Sequence, residues 1–538
     1  MADQLVRQDV WALEQDQRFH PIILAYALAV REMRARQPDH PTSWTYQTAV
    51  HWKSGPDPGP FFNQCQHNTW FFLPWHRMFL YWFEQIVRSV LRDLPESVLQ
   101  TFPEVDEQTR ATWALPYWDY WDPRPPTATQ PPPFKDSLPP SFRATALPNG
   151  DPNPLFEEKR NRARPKKAQG DPPIPPVAIN RGARLPSHVT SPRQALNRTL
   201  FIDRAAGFGG PVTSFHHFSE DQIQMAGALE LTPHGAVHNT VGGRGGLMTS
   251  LRTSPGDPIF WLHHANLDRL WEVWLGRPDP SDPMVRTNPT DDRWRDFEFD
   301  FQDERGQAVR EFRTPSKVVD LTRLGYRYAD ISWPTAPLPP GAVPVPPAPP
   351  LEAAAMPPAP PPDHPPELVG ATDQPLELRG ELATVRFPVA RPTGPLARAE
   401  AATPSRVFLY LDDITGDENP GVVYAVYANV PDDDDDPTND AHYAGTLSFF
   451  GIENLRDLDQ DHAGGLRVAY DITDLYTRLR GQGRWNEQQV TVTFEPLELV
   501  PAAGAEPAEG EFELEEEAEV EDEAVPPVTV GRVSLFYQ

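Results

Sequence analysis

The chain has 538 residues, with 48 Lys and Arg against 76 Asp and Glu and a single cysteine, Cys65. One hydrophobic core rarely grows past about 250–300 residues, so two or more domains are expected. One cysteine excludes an intramolecular disulfide and the disulfide-stapled secreted class, a net charge of −28 argues against nucleic acid or an anionic membrane as partner, since both would need a basic face, and no apolar run is long enough to cross a bilayer.

The opening, MADQLVRQDVWALEQDQRF, lacks the basic and apolar regions of an export signal, which predicts a cytoplasmic protein. Residues 6–36 carry apolar positions at helical spacing (Val10, Leu13, Ile22, Ile23, Tyr26, Ala27, Val30), and residues 78–94 and 259–275 repeat the pattern. Pro-rich stretches at 122–140 and 152–176 predict long loops between them. Residues 333–369 are denser still in proline, which lacks the N–H and fixes φ, so they are expected to form an extended polyproline II-like spacer.

Beyond that spacer the period changes to two. RVFLYLDDI, GVVYAVYANV, YAGTLSFFG, LRVAYDI, QVTVTFEPLEL and TVGRVSLFYQ are rich in Val, Tyr, Phe and Thr and separated by turn residues, the pattern of an antiparallel β-sandwich. The expected fold is therefore a mainly α domain, a helical bundle, over residues 1–333, a linker over 334–371, and an all-β sandwich over 372–538. Five aspartates at 432–436 and eleven acidic residues within 506–523 predict solvated loops, and neither run has the glycine-punctuated spacing of an EF-hand. No internal repeat is present.

Three histidines, His51, His67 and His76, lie in the first third of the chain, the last two within CQHNTWFFLPWHRMFLYWFE. His234 and His238 follow in LELTPHGAVHNTVGG, and His264 in DPIFWLHHANLDRLWEVW. A lone histidine among aromatics is ordinarily a hydrogen-bonded core residue; the grouping is what points to metal. His234 and His238, four apart, fall on one face of a helix, and His264 supplies a third donor. Two three-imidazole sets on apolar helices suggest two metal ions inside a bundle. Imidazoles without paired carboxylates favour copper over iron. Zinc is the competing ion, but two adjacent neutral sites suit dioxygen between reducible metals better than a single zinc-bound water.

The segments HNTWFFLPWHRMFLYWFE and DPIFWLHHANLDRLWEVW resemble the two copper-binding signatures of type-3 copper proteins, that is tyrosinases, catechol oxidases and molluscan haemocyanins. The resemblance spans about residues 51–275. It implies two copper ions per chain with O2 as co-substrate, His51, His67 and His76 on one ion and His234, His238 and His264 on the other. In the adjacent pair the family pattern makes His264 the ligand and His263 its neighbour, and a swap of these two stays open. Some members carry a thioether between the cysteine and the histidine of Cys-x-His, which implies a Cys65–His67 link that locks that imidazole; the plainer reading of Cys65 is a small buried thiol.

By the same resemblance Glu230 is a catalytic candidate that orients a water near the metals, or else a helix-entry carboxylate favoured by the dipole. Gly235 stands where many tyrosinases have asparagine, which weakens the case for monophenol deprotonation but leaves space. Asn239 offers a polar contact in the substrate pocket, and Leu251 falls at a gatekeeper position. Asp268 and Arg269 are expected as a buried pair bracing their helix. His20, His40, His188, His216, His217, His364, His442 and His462 match no ligand position.

The β-rich end, roughly residues 405–538, resembles the C-terminal domain of plant polyphenol oxidases, which can cover the active site. A plug is then expected at Phe449 or Phe450 ahead of Gly451, although strand alternation sends at least one of them into the sandwich core. The activity implied is oxidation of o-diphenols to o-quinones with hydroxylation of monophenols. The alternatives are a strict catechol or o-aminophenol oxidase, or an oxygen carrier of haemocyanin type. Small phenols are the expected partners, with no nucleic acid and no membrane; an oligomer is compatible with the sequence.

Overall fold

The computed structural model describes residues 4–15, 17–53, 59–122, 134–163, 177–203, 207–212, 225–277, 286–332, 366–390, 404–430, 440–453, 465–501 and 525–538. Both acidic runs and the proline-rich stretch up to residue 365 lie outside these residues, as do His216, His217, His364 and His462. Two hydrophobic cores are present, one helical and one between β-sheets.

The helical part opens on a strand, β1 (Leu5–Arg7). Its main helices are α1 (Pro21–Ala35), α2 (Trp44–His51), α3 (Phe72–Arg92), α4 (Ala236–Gly242) and α5 (Ile259–Gly276). A second strand, β2 (Tyr326–Tyr328), returns to pair parallel with β1. The single helical pattern expected over residues 6–36 is corrected: it splits into β1, a turn of helix at Val10–Leu13, and α1. The break has a local cause. Proline has no N–H to give a helix interior, so Pro21 starts a new helix, and His20 Nδ1 accepts the Ile22 N–H at 3.2 Å.

Helices α3 and α5 form the centre of the core, where the Phe83 and Trp261 rings stack with centroids 3.4 Å apart. Asp268 of α5 accepts from Arg77 of α3, from Arg7 of β1 at 3.3 Å, and from the hydroxyls of Tyr326, at 2.8 Å, and Tyr328 in β2. Burial alone would raise this carboxyl, but Arg77 and Arg7 outweigh it and hold Asp268 below its ordinary range. The expected Asp268–Arg269 pair is not made. Arg269 instead donates to the Asp330 carbonyl at 2.6 Å and to Asn266 Oδ1 at 3.1 Å. The reason is geometric: consecutive helical residues point about 100° apart and do not face each other.

The sandwich contains β3 (Glu367–Ala371), β4 (Leu376–Leu378), β5 (Ala383–Pro388), β6 (Val407–Gly416), β7 (Val423–Ala428), β8 (Tyr443–Leu447), β9 (Leu466–Asp471), β10 (Gln489–Leu497) and β11 (Val528–Tyr537). One sheet runs β8-β7-β10-β5 and the other β9-β6-β11-β3, with β4 also on β11, and every pairing is antiparallel. All six alternating segments are strands. Because β3 hydrogen-bonds to β11, the sandwich begins at Glu367, which corrects the expected linker end at 371.

The two parts are docked by directional contacts. Arg184 and Val500 exchange both backbone hydrogen bonds, at 2.8 and 2.9 Å, and Arg406 of the sandwich reaches Asp203 at 2.7 Å. Arg198 returns the contact by pairing with Asp471 at 3.3 Å. Among the described residues no helix is long and apolar enough to cross a membrane.

Candidate metal centre

His51 closes α2, His67 lies on the loop before α3, and His76 stands one turn inside α3. His234 is not on the expected helix: it belongs to a π-type segment, Glu230–Gly235, in which Thr232 is extended and Pro233 interrupts the hydrogen bonding. His238 sits on α4 directly after it, and His263 and His264 on α5. The i,i+4 spacing still works across this junction, since the His234 and His238 rings are 4.6 Å apart.

Among the described residues, two groups gather ligand-type atoms within 4.8 Å of one another. The first is His51, Cys65, His67 and His76, and the second His234, His238, His263 and His264, all buried. The groups face each other: His76 stacks on His264 at 4.5 Å and His67 on His234 at 5.5 Å. His263 packs between His234 on one side and Tyr120 on the other. The structure thus brings together all six expected ligands, with Cys65 and His263 added.

The hydrogen bonding prepares these rings for metal. Nδ1 of His51, His76, His234 and His238 lies 2.6, 2.8, 3.1 and 2.8 Å from the carbonyls of Leu251, Phe72, Glu230 and Met248. A carbonyl only accepts, so each Nδ1 carries the proton and each Nε2 keeps its lone pair. Burial pushes His238 down to about 3 and drives His234 and His264 well below the ordinary imidazole range, so these rings stay neutral at physiological pH. His238 Nε2 and His264 Nε2 are 3.1 Å apart. Two nitrogens bound to one ion at about 2.0–2.1 Å sit roughly this far from each other. The donor set fits soft-to-borderline reducible ions held by neutral imidazole, which is copper chemistry.

Around the rings, Cys65 Sγ is 3.2 Å from His67 Nδ1 and 3.6 Å from His76 Nε2. Burial, with the nearby Glu230 charge, raises the Cys65 thiol well above its ordinary value. Glu230 Oε1 accepts the Asn68 N–H at 2.7 Å, while burial pushes the carboxyl up to about 8. Leu251 is buried over the first group, its carbonyl taken by His51.

The sandwich enters this site directly. The Phe450 ring stacks on His238 at 4.0 Å and 22°, and meets His234 edge-on at 5.3 Å and His67 at 5.7 Å. Phe449 turns the other way, fully buried in the sandwich core beside Tyr424. The two plug candidates are therefore separated: only Phe450 faces the histidines. A Cβ on Gly235 would lie 2.6 Å from Ser448 Oγ and 3.7 Å from Phe450 Cβ, so the absence of a side chain there makes room for the sandwich loop. Asn239 Oδ1 accepts from Asn419 Nδ2 of the β6–β7 loop at 3.0 Å. Sequence reasoning missed Asn419, Ser448 and the Asn68 N–H; the ENPG turn at 418–421 between two β runs was the available signal for the first.

The family model for the common central domain of tyrosinase matches residues 41–277, and a domain of unknown function matches residues 365–538. A tyrosinase of Hahella sp. (strain CCB-MM4) is 30% identical over 518 residues, covering 91% of this chain and 95% of the relative. The chain belongs to the tyrosinase family. It is a type-3 copper oxidoreductase whose cofactor is a pair of copper ions, and the enzymes of this family act on phenols. A chloroplastic polyphenol oxidase of Malus domestica is 26% identical over 504 residues, 89% of this chain and 73% of the relative. The fold is shared with latent apple tyrosinase, at a TM-score of 0.58 and 21% identity over 100% of this chain and 98% of that one. The expected cytoplasmic location does not stand: several plant relatives of this tyrosinase-family chain are named chloroplastic, so its opening residues are no guide to compartment.

Proposed function

We propose that this chain oxidises o-diphenols to o-quinones with O2 and hydroxylates monophenols to supply them, and that its own sandwich covers the site until displaced. His51, His67 and His76 would hold one copper, and His234, His238 and His264 the other. The 3.1 Å approach of His264 Nε2 to His238 Nε2 supports His264 as the third ligand, with His263 packed behind it. The coppers, when bound, supply reversible O2 binding and two electrons' worth of redox capacity.

The observation that carries the reading is Phe450 stacked on His238. An aromatic ring of the chain lies where a phenol ring would stack, so the same surface that accepts Phe450 would orient substrate once it leaves. The buried aromatic walls, Phe72 at 4.6 Å from His234 and Phe260 at 4.2 Å from His264, exclude water and fix the imidazoles. Glu230, held at Oε1 by Asn68, would in its ionised form take the phenol proton at Oε2 through a water and return it, its raised value of about 8 making it the stronger base once ionised. Cys65 at 3.2 Å from His67 supports a thioether that fixes that ring. Leu251 would line the entrance.

A relative named tyrosinase, matching nearly the whole chain, supports hydroxylation. Gly235, which lacks the polar side chain many tyrosinases offer a water there, favours the second reading, a strict o-diphenol or o-aminophenol oxidase. The test is oxygen uptake by copper-loaded protein with a simple monophenol as sole substrate, run beside the matching catechol. Quinone formation from the monophenol supports the first reading; uptake with the catechol alone establishes the second.

A further inference from the structure

Phe450 sits on a loop of the sandwich that the Asn419 side chain ties to the pocket. Asn419 Nδ2 donates to Asn239 Oδ1 at 3.0 Å, to the Thr249 carbonyl at 3.2 Å and to the Phe449 carbonyl at 2.9 Å. Its own Oδ1 accepts the Gly421 N–H at 3.0 Å, which fixes the amide's orientation. The three acceptors come from three separate elements: the helix bearing His238, the segment leading to Leu251, and the residue before Phe450.

The loop that carries Asn419 is itself seated. Gly421 has φ +67, and a Cβ there would fall 2.5 Å from the Arg244 nitrogen, so its backbone rests directly on the end of the α4 segment. Gly451, on the far side of Phe450, has φ +82 and packs against Leu251 in the same manner, 3.1 Å from a built Cβ. Without Asn419 the Phe449 carbonyl, the Asn239 amide oxygen and the Thr249 carbonyl would lose one shared donor between them, and water would have to replace it.

We propose that Asn419 is the positioning residue that latches Phe450 over the histidines, and that it sets how well the full-length protein admits phenols. The proposal rests on the shielding role of Phe450 proposed above. Substrate and Phe450 compete for one surface, so the latch acts on the fraction of open molecules. The apparent KM is the intrinsic value divided by that fraction, whereas kcat at saturation belongs to the open state and stays put.

The experiment uses full-length, copper-loaded protein and oxygen uptake with a catechol, comparing wild type, Asn419→Ala, Phe450→Ala, the double variant and Glu418→Ala. Asn419→Asp serves as a second, isosteric variant in which the donor is replaced by an acceptor. The latch predicts that Asn419→Ala and Asn419→Asp lower KM by about tenfold with kcat within about twofold of wild type. It also predicts that Asn419→Ala adds nothing further once Phe450 is alanine, and that Glu418→Ala, at an exposed neighbour, leaves KM unchanged.

If Phe450→Ala lowers KM while both Asn419 variants leave it alone, the latch is overturned and the shield stands. Independent, additive effects of the two substitutions also overturn the latch. If Phe450→Ala itself changes nothing, the shield falls and the latch with it.

Discussion

The ring of Phe450 lies 4.0 Å from that of His238 and nearly parallel to it, although Phe450 follows strand β8 of the sandwich and His238 stands on helix α4. Its neighbour Phe449 has no exposure and fills the sandwich. This separation of adjacent side chains makes them distinguishable by substitution. Phe450→Ala should raise the rate of catechol oxidation at low substrate in the intact chain with little change in melting temperature. Phe449→Ala should cost about 3–5 kcal/mol of stability, as deletion of a buried phenylalanine does. Initial rates and urea unfolding on the same preparations check both.

His263 and His264 give a second contrast. His264 Nε2 meets His238 Nε2 at 3.1 Å, whereas His263 stacks on His234 and abuts Tyr120. His264→Ala should therefore drop the bound copper from two ions per chain to about one, while His263→Ala keeps both and weakens the second site by roughly 10–100-fold. Metal analysis after dialysis against a graded chelator distinguishes the two.

Cys65 is buried, with its sulfur 3.2 Å from His67 Nδ1. A thioether between them removes two hydrogens from the chain. The intact mass of copper-exposed protein should fall by that amount, and Cys65→Ser should abolish the loss while retaining copper. An unchanged mass after copper exposure and turnover would leave Cys65 as a packed thiol.

Glu14 provides a pH dependence away from the metals. Burial raises its carboxyl from 4.5 to about 8, and the Ser141 N–H at 3.3 Å only partly offsets that. Its folded pKa lies above its unfolded one, so its contribution is fully present below the unfolded value and is lost as pH rises through about 8. Stability of the wild type should decline between these two values. Glu14→Gln, which keeps the shape and cannot ionise, should flatten that decline, measured as urea midpoints across the range.

Much of this was legible in the sequence because it rests on local pattern. The alternation in VYAVYA and VTVTF, and the long aromatic runs around His76 and His264, each impose one period and one buried face, and strands and helices appear there. The six histidines were legible as a set because their chemistry is rare at that spacing. What escaped was non-local. Nothing in LVR announces that Leu5–Arg7 pairs with Tyr326–Tyr328, or that Asp268 turns to Arg7 and Arg77 rather than to its neighbour. The kink that takes His234 off α4 arises from Pro233 within a pattern that reads as helical. Between Phe449 and Phe450, alternation required one to be inward but the direction was set by how the sandwich docks. Asn419 lies 180 residues from Asn239, and only the folded chain brings them together.

Oxygen uptake by the copper-loaded Phe450→Ala protein with a catechol tests whether this chain is a dinuclear copper phenol oxidase shielded by its own C-terminal sandwich. Such an enzyme takes up one O2 for every two catechols converted to quinone, faster at low substrate than wild type, with the uptake lost on copper chelation and restored by copper. A copper-replete Phe450→Ala protein that consumes no oxygen with any catechol would contradict it.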